Sequence, residues 1–155
     1  MTRFSHIDEK GNAHMVDVSA KNSTERLAIA VGEITMSDEC LEMVIKGQHK
    51  KGDVLTVAQV AGVMGAKKTS DMIPMTHNII LSHVKVAFEQ TEHGFICHSE
   101  VKCTGRTGVE MEALQSVSTA LLTIYDMCKS VDKKMVIKNI HLLEKHGGKS
   151  GDFYF

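Results

Sequence analysis

Residues 105–129 read GRTGVEMEALQSVSTALLTIYDMCK, and their apolar side chains recur at the spacing of a helix. The recurring positions are Leu114, Val117, Leu121, Ile124, Tyr125 and Cys128. Residues three or four apart share one face of a helix, so this spacing predicts a long helix that begins near Val109 and packs on a core. Charged residues lie at both ends of the segment. The helix is therefore expected to pack on the core of the fold and to carry charged side chains at both of its ends.

The elements around this helix follow a definite order. Before it, the patterns of apolar residues and turns predict a strand at 24–36, helices at 37–46 and 53–67, and strands at 84–89 and 95–103. After it, residues 135–143 predict another strand. The order strand, helices, strand, strand, helix, strand is that of a ferredoxin-like α/β sandwich, an α+β fold with helices on one face of an antiparallel sheet. We expect one domain over residues 1–155.

Two of the predicted helices contain residues that define how they begin and how closely they pack. Ser37 and Asp53 precede the helical segments and are typical N-caps. The second segment, AQVAGVMGAKK (58–68), is rich in alanine and glycine, so its backbone can closely approach a sheet or another helix. The only proline, Pro74, then ends the helical region and stiffens the loop beside His77.

The amino end of the long helix combines a glycine-rich loop with two carboxylates. In GRTG (105–108), the charge of Arg106 and the unpaired N–H groups of the first helical turn could hold an anion. Thr107 and Glu110 also have the spacing of a capping box, in which both side chains accept hydrogen bonds from backbone N–H groups. Both interpretations remain open for Glu110, whereas Glu112 has no capping role.

The carboxyl end of the helix carries Asp126 and Lys129, which are three residues apart and share one face. They could exchange a proton, or form a solvated ion pair that contributes less than about 1 kcal/mol. At about 1.5 Å per residue, Glu112 and Asp126 lie roughly 21 Å apart along the axis, too far for one small reacting centre. If both ends act, the chain holds two sites or a second subunit completes one site, and we favour the second subunit. The uncovered sheet face independently predicts an oligomer.

The composition excludes several classes of function. Lys and Arg number 18 against 19 Asp and Glu, a formal charge of −1, so no overall field attracts nucleic acid or an anionic membrane. The uncharged run between Glu112 and Asp126 is too short to span a bilayer, and the N-terminus lacks a signal-peptide core, so we expect a cytoplasmic protein. The nine histidines show no tight ligand spacing, and no metal is expected. We expect buried free thiols at Cys40, Cys97, Cys103 and Cys128.

Several motifs have low specificity by themselves. GGKSG (147–151) is similar to the end of a P-loop, but that motif needs a glycine where Leu143 stands and a helix afterwards. A nucleotide hydrolase that depends on Lys149 is therefore a weak alternative, although the glycine-rich tail can still close over a phosphate. Lys51 is interpreted most simply as a solvated surface lysine, and His77 as a satisfied loop histidine.

Seven stretches of the chain resemble the molybdenum cofactor biosynthesis protein C family. They are MVDVSAK (15–21), KGDVL (51–55), AGVMGAKKT (61–69), IPMTH (73–77), GRTGVEMEAL (105–114), LTIYDMCK (122–129) and GGKSGDF (147–153), and they span nearly the whole chain. The resemblance implies a ferredoxin-like subunit in a homohexamer, a trimer of dimers with active sites at subunit interfaces. It also implies a phosphorus–oxygen lyase that converts 3′,8-cyclo-7,8-dihydro-GTP into cyclic pyranopterin monophosphate and releases pyrophosphate.

The same resemblance implies roles for individual residues. Asp126 and Lys129 would form the central acid–base pair, and Lys51 would be a further catalytic acid. Contacts to the substrate would come from Met75, Thr76, His77, Met111 and Glu112, and more weakly from Glu110, Lys145 and Arg26. The chain departs from the family pattern at Thr76, where cysteine is common, and at Asn78, where proline is common.

The implied reaction needs proton transfers and a stabilised leaving group. A lysine whose pKa is lowered by neighbouring cations or by burial can donate and accept protons near neutral pH, with Asp126 orienting Lys129. Lys51, Lys145 or Arg106 would stabilise the negative charge of pyrophosphate. No cofactor is expected, apart from magnesium that could accompany the triphosphate. The rival hypothesis is a non-enzymatic ferredoxin-like regulatory module that binds a small anion.

Overall fold

The computed structural model describes residues 3–47 and 53–155, and its elements follow the predicted order. They are β1 (Thr24–Thr35), α1 (Asp38–Ile45), α2 (Val54–Lys67), α3 (Thr69–Met72), β2 (Leu81–Thr91), β3 (Gly94–Gly105), α4 (Glu110–Cys128), β4 (Val136–His146) and β5 (Phe153–Tyr154). Strand β4 extends beyond its predicted end because its backbone pairing continues through polar residues, as far as His146 opposite Leu27.

The sheet is antiparallel, with the spatial order β2-β3-β1-β4-β5. Strand β1 is central and pairs with β3 from Thr24↔Gly105 to Thr35↔Gly94, while β4 lies on its other side. Helix α4 packs over β1, β3 and β4, and α2 packs beside it over β2. This arrangement confirms the predicted ferredoxin-like α+β sandwich.

Strand β5 was not predicted from the sequence. It has two residues and pairs with β4 through Glu144↔Tyr154 and Lys145↔Phe153. A segment this short has no apolar periodicity, and only the position of its neighbour identifies it as a strand. Because a strand and not a helix follows GGKSG (147–151), the tail is not a P-loop.

The predicted N-caps of α1 and α2 are confirmed. The Ser37 hydroxyl accepts a hydrogen bond from the N–H of Cys40 at 3.2 Å. Asp53 Oδ1 accepts from the N–H groups of Leu55 and Thr56 at 3.1 and 3.2 Å. Each cap satisfies N–H groups that have no partner inside the helix, and so fixes where the helix begins.

The central strand alternates between a buried and a half-buried face. Ala28, Ala30 and Ile34 are fully buried beneath the helices. Gly32 belongs to the same face, and a Cβ there would lie 2.8 Å from Val117 Cγ1 of α4. The small residues of β1 therefore let α4 sit very close to the sheet.

The opposite face of the sheet is half-buried in the single chain. Leu27, Ile29 and Val31 of β1 lie on it, beside His98 and Glu100 of β3. The described helices pack on the other face, as predicted. Within the described ranges, no helix combines the length and apolarity needed to cross a membrane.

Glycines also set the separation of the two long helices. A Cβ at Gly62 would lie 2.9 Å from Val86 Cγ2 and 3.2 Å from the Ser116 carbonyl oxygen. A Cβ at Gly65 would lie 2.8 Å from Thr119 Cβ. These distances are shorter than van der Waals contact, so the predicted close packing of α2 is confirmed, and its partners are α4 and β2.

We predict that Gly65→Ala destabilises the protein. In an exposed helix this substitution would stabilise by about 1 kcal/mol, but here the new methyl group overlaps Thr119 and should cost about 1–3 kcal/mol. Denaturant unfolding would measure the change. Val60→Ala, at a 60% exposed position of the same helix, is the control and should not destabilise. Adding Thr119→Ala removes the overlap with Thr119 Oγ1 but keeps Cβ, so it should restore only part of the loss. An unchanged or increased stability of Gly65→Ala alone would contradict the prediction.

Candidate active site

A cavity of about 260 Å³ lies where the amino end of α4 meets the loop after α3 and the N-terminal segment. Six of the predicted substrate-binding residues line it: Met75, Thr76, His77, Glu110, Met111 and Glu112. They come from two stretches of sequence about 35 residues apart. The structure thus brings together the two groups of residues that the family resemblance implied.

Glu112 is the most unusual carboxylate of this cavity. It is only 4% exposed, and burial raises its pKa from 4.5 to about 7, despite an opposing effect of its own backbone N–H. The charge of Glu110 raises the pKa further. Glu112 therefore exists in both protonation states near neutral pH, as a group that gives and takes protons must.

The predicted capping box at the start of α4 is wrong. The N-cap is Val109, with no side-chain capping bond, and the Thr107 hydroxyl instead donates to the Gly108 carbonyl at 3.2 Å. The carboxylate of Glu110 folds back over Gly108, in space that any Cβ at position 108 would fill. The absence of a Cβ at Gly108 thus frees Glu110 from capping and keeps its carboxylate at the cavity.

The glycine-rich loop before α4 contributes to the cavity only in part. Thr107 and Gly108 line it, whereas Arg106 is exposed and is not among the lining residues. The Glu112 carboxylate interacts with its own backbone N–H in the first turn. The Glu112 carboxylate therefore uses one of the N–H groups that the predicted anion site at this helix end would offer.

His77 is held by the N-terminal segment. Its Nε2 donates to the Val16 carbonyl oxygen at 2.7 Å, which requires the proton on that nitrogen. The neighbouring Thr76 hydroxyl donates to the Ile73 carbonyl at 2.8 Å and closes a turn around Pro74. His77 is thus positioned by the segment that forms the opposite wall of the cavity.

Asp126 and Lys129 lie at the other end of α4, outside this cavity. Lys129 Nζ donates to Asp126 Oδ1 at 2.6 Å, and their side chains are 52% and 60% exposed. The hydrogen bond and charge of Asp126 raise the pKa of Lys129. Within one chain, Asp126 therefore favours the charged form of Lys129, which is the direction expected of a carboxylate that holds this lysine charged and oriented. Lys51, the third predicted catalytic residue, lies outside the described residues.

Lys145 is engaged by the C-terminal loop. Its Nζ donates to the carbonyl oxygens of Gly147 and Gly151 at 3.3 and 3.1 Å, and to the Ser150 hydroxyl. It projects from β4 and is not among the residues of the 260 Å³ cavity. In the single chain, Lys145 shapes the glycine-rich loop.

The sequence analysis missed the contribution of the N-terminal segment. Val16, Val18 and Lys21 line the cavity and form the wall opposite α4. These residues belong to MVDVSAK (15–21), a stretch that carried the family resemblance without a role assigned to any of its side chains. Only the folded chain places it against His77 and Glu112.

The thiols and potential metal ligands are distributed as follows. All four cysteines are buried thiols, as predicted, and burial raises the pKa of Cys97 to about 12. Such thiols are poor nucleophiles. Over residues 3–47 and 53–155, no three His, Cys, Asp or Glu side chains are grouped so that they could hold a metal ion.

The fold and cavity define a class of protein, a ferredoxin-like α+β sandwich with a buried carboxylate whose pKa is raised to about 7. Comparison with known proteins makes the assignment specific. The MoaC family model matches residues 15–148, and the chain therefore belongs to the MoaC family. This confirms the resemblance found in the seven stretches of sequence.

Three relatives cover nearly the whole chain, and each is named cyclic pyranopterin monophosphate synthase. The protein of Peptoclostridium acidaminophilum is 55% identical over 150 residues, 97% of this chain and 96% of its own. The protein of Clostridium botulinum (strain Alaska E43 / Type E3) is 55% identical over 153 residues, again 97% and 96%. The protein of Desulfitobacterium hafniense (strain DSM 10664 / DCB-2) is 57% identical over 151 residues, 97% and 93%.

We predict that Glu112→Gln stabilises the protein in a pH-dependent way. Between pH 4.5 and 7, Glu112 keeps a proton in the folded state that it has lost in the unfolded chain. The contribution of Glu112 to the free energy of unfolding therefore falls as the pH rises through this window. At about 1.4 kcal/mol per pKa unit, the variant should be more stable by about 3 kcal/mol at pH 8 and by less than about 1 kcal/mol at pH 5.

Denaturant unfolding at the two pH values would measure this difference. Glu92→Gln, at a side chain that is 87% exposed, is the control and should give no comparable change. An equal effect of Glu112→Gln at both pH values would mean that the carboxyl group does not titrate in this range.

Proposed function

We propose that this protein is a cyclic pyranopterin monophosphate synthase of molybdenum cofactor biosynthesis. It converts 3′,8-cyclo-7,8-dihydro-GTP into cyclic pyranopterin monophosphate and releases pyrophosphate. The observation that carries the proposal is the near full-length similarity to relatives of that name. The cavity adds support, because it gathers six of the residues for which the family resemblance implies substrate contact.

The chemistry of the cavity suits this reaction. When the cyclic phosphate forms, a substrate hydroxyl attacks the α-phosphorus, a base takes the hydroxyl proton, and the bond to pyrophosphate breaks. Opening and reclosing the purine-derived rings needs further proton transfers. Glu112, with a pKa of about 7, can exchange protons at neutral pH, and His77 and Glu110 lie around the same cavity. Met75, Thr76 and Met111 would shape the remaining contact surface.

The proposed acid–base pair requires a neighbouring chain. Asp126 and Lys129 lie about 21 and 26 Å from Glu112 along α4, so one chain cannot direct both ends at one reacting centre. A second subunit that brings its Asp126, Lys129 and Lys51 to the Glu112 cavity completes the site. New cations around Lys129 would lower its pKa from the raised value of the single chain. The assembly proposed from the family resemblance is a homohexamer, a trimer of dimers of single-domain subunits.

The remaining partners follow from the substrate. The proposed enzyme works in the cytoplasm and binds neither nucleic acid nor a membrane. It has no resident cofactor, and magnesium enters only with the triphosphate of the substrate. Lys145 of β4 and Arg26 of β1, which lie beside the C-terminal loop, would face the phosphate groups.

We predict that Asp126→Asn and Lys129→Ala each lower the rate of pyrophosphate release by at least about 100-fold, a usual loss when a general acid or base is removed. The assay uses the purified cyclic GTP intermediate. Glu42→Gln and Lys46→Ala are matched controls, because this second ion pair on a helix has similar side-chain exposures of 64% and 53%. If Asp126→Asn or Lys129→Ala releases pyrophosphate at a near-normal rate, the substituted residue has no catalytic role.

A mixing experiment tests the shared site. If Glu112 and Asp126 of different chains serve one site, mixed oligomers of Glu112→Gln and Asp126→Asn contain some intact sites, about a quarter in a random mixture. We expect activity from this mixture although each variant alone is inactive. Asp126→Asn mixed with Lys129→Ala, both at one helix end, should stay inactive. No recovery in the first mixture, or a monomeric mass in solution, would contradict the shared site.

A further inference from the structure

His146, the last residue of β4, lies between two carboxylates at the base of the C-terminal loop, residues 147–152. Its Nε2 lies 3.0 Å from Glu144 Oε2, and its Nδ1 lies 3.3 Å from Asp152 Oδ2. Glu144 belongs to the same strand, whereas Asp152 ends the loop just before β5. One imidazole ring therefore joins the strand that enters the loop to the residue that leaves it. We call these three side chains the His146 clasp.

The contacts of the His146 clasp need a protonated ring. An ionised carboxylate only accepts hydrogen bonds, and a neutral imidazole has a single N–H, so only the imidazolium can donate to both carboxylates. Among residues 3–47 and 53–155, the other histidines that meet a carboxylate do so through one nitrogen, at 3.4 to 3.9 Å; they are His83, His93 and His98. His146 is thus the histidine of this group whose contacts depend most directly on its charge.

The wider surroundings of His146 contain charges of both signs. The titratable and charged groups that face it from other elements are Glu25 and Arg26 of β1, Lys102 and Cys103 of β3, and Tyr154 of β5. The cations oppose protonation of the ring, as does the neighbouring Lys145, and Glu25 favours it. Glu144 and Asp152 are at hydrogen-bonding distance and outweigh the cations, so that they raise the pKa of His146 above 6.5.

The same contacts close the C-terminal loop. Asp152 Oδ1 accepts a hydrogen bond from the N–H of Gly147 at 3.2 Å, while Oδ2 of the same carboxylate meets His146. The loop in turn surrounds the ammonium group of Lys145, which donates to the carbonyl oxygens of Gly147 and Gly151. The shape of the loop, and with it the position of the Lys145 ammonium group, therefore depends on the His146 clasp.

We propose that His146 is a positioning residue that closes the C-terminal loop in a proton-dependent way and so fixes Lys145. The protonated ring bridges Glu144 and Asp152. When the ring loses its proton, one nitrogen presents a lone pair to a carboxylate, the attraction is lost and the loop loosens between β4 and β5, whose backbone pairing remains. The closure of the loop is independent of the proposed function, and only its effect on substrate binding through Lys145 rests on that function.

The direction of the pH dependence follows from the raised pKa of His146. In an open loop, the ring would titrate near its ordinary pKa of 6.5. The clasp therefore contributes fully to closure below pH 6.5, and its contribution is lost as the pH rises through the raised pKa of the closed loop. The loop should be tighter at pH 6 than at pH 9.

Hydrogen exchange in the assembled protein tests the clasp, with protection factors corrected for the intrinsic exchange rate at each pH. From pH 6 to pH 9, protection of residues 147–152 should fall roughly three- to tenfold, because two partly exposed charge contacts are lost. His146→Asn should give low protection at both pH values, and His146→Arg, which stays charged, should give high protection at both. His93→Asn is the control, because His93 meets one carboxylate at 3.9 Å in an exposed turn, and it should behave like the parent.

The outcomes separate the clasp from the proposed function. Equal protection of the parent loop at both pH values would overturn the clasp, and so would a His146→Arg variant with the pH dependence of the parent. In pyrophosphate release, the KM of the parent should rise from pH 6 to pH 9 more than the KM of His146→Arg, with matching kcat profiles; identical KM profiles would overturn the positioning of Lys145. If exchange shows the clasp but the parent releases no pyrophosphate from the cyclic intermediate, the clasp stands and the synthase assignment fails.

Discussion

The close contact of α4 with its neighbours is the constraint on which the rest of the structure depends. Gly32 beneath the helix and Gly62 and Gly65 beside it each occupy a place where a Cβ would overlap an atom of α4 or of β2. The helix is therefore fixed in height and rotation against β1 and α2. Because α4 is one rigid element, its position determines where both Glu112 and Asp126 point, and the separation between them cannot be adjusted locally.

The main elements were predictable because their signals are local. Alternation identified β2 and β3, and Ser37 and Asp53 marked the helix starts through their capping bonds. What escaped prediction depends on neighbours distant in sequence. Strand β5 exists only because β4 offers an unpaired edge, and the capping box is absent because the missing Cβ of Gly108 lets the Glu110 carboxylate fold back over Gly108 without making a capping bond.

The residues of the candidate site also divide into those that local sequence motifs identified and those that only the fold reveals. Family motifs singled out His77 and Glu112 before the fold was known, but the pKa of Glu112 is a property of its burial and not of its motif. No local pattern singled out Lys21, because a lysine in an N-terminal loop is usually a solvated surface side chain. It lines two cavities, whose walls also include Glu112 and Lys149, about 90 and 130 residues further along the chain.

The short strand β5 also changes the entropy of the C-terminal loop. Residues 147–152 begin after β4 and end where Phe153 pairs with Lys145, so both ends of the loop are anchored on the same strand. A tail with a free end would lose conformational freedom each time an anion bound, at about 1–2 kcal/mol per residue that becomes ordered. Here that freedom is already lost when the chain folds, so binding at the loop would not have to order it, and the interaction energy would be retained as affinity.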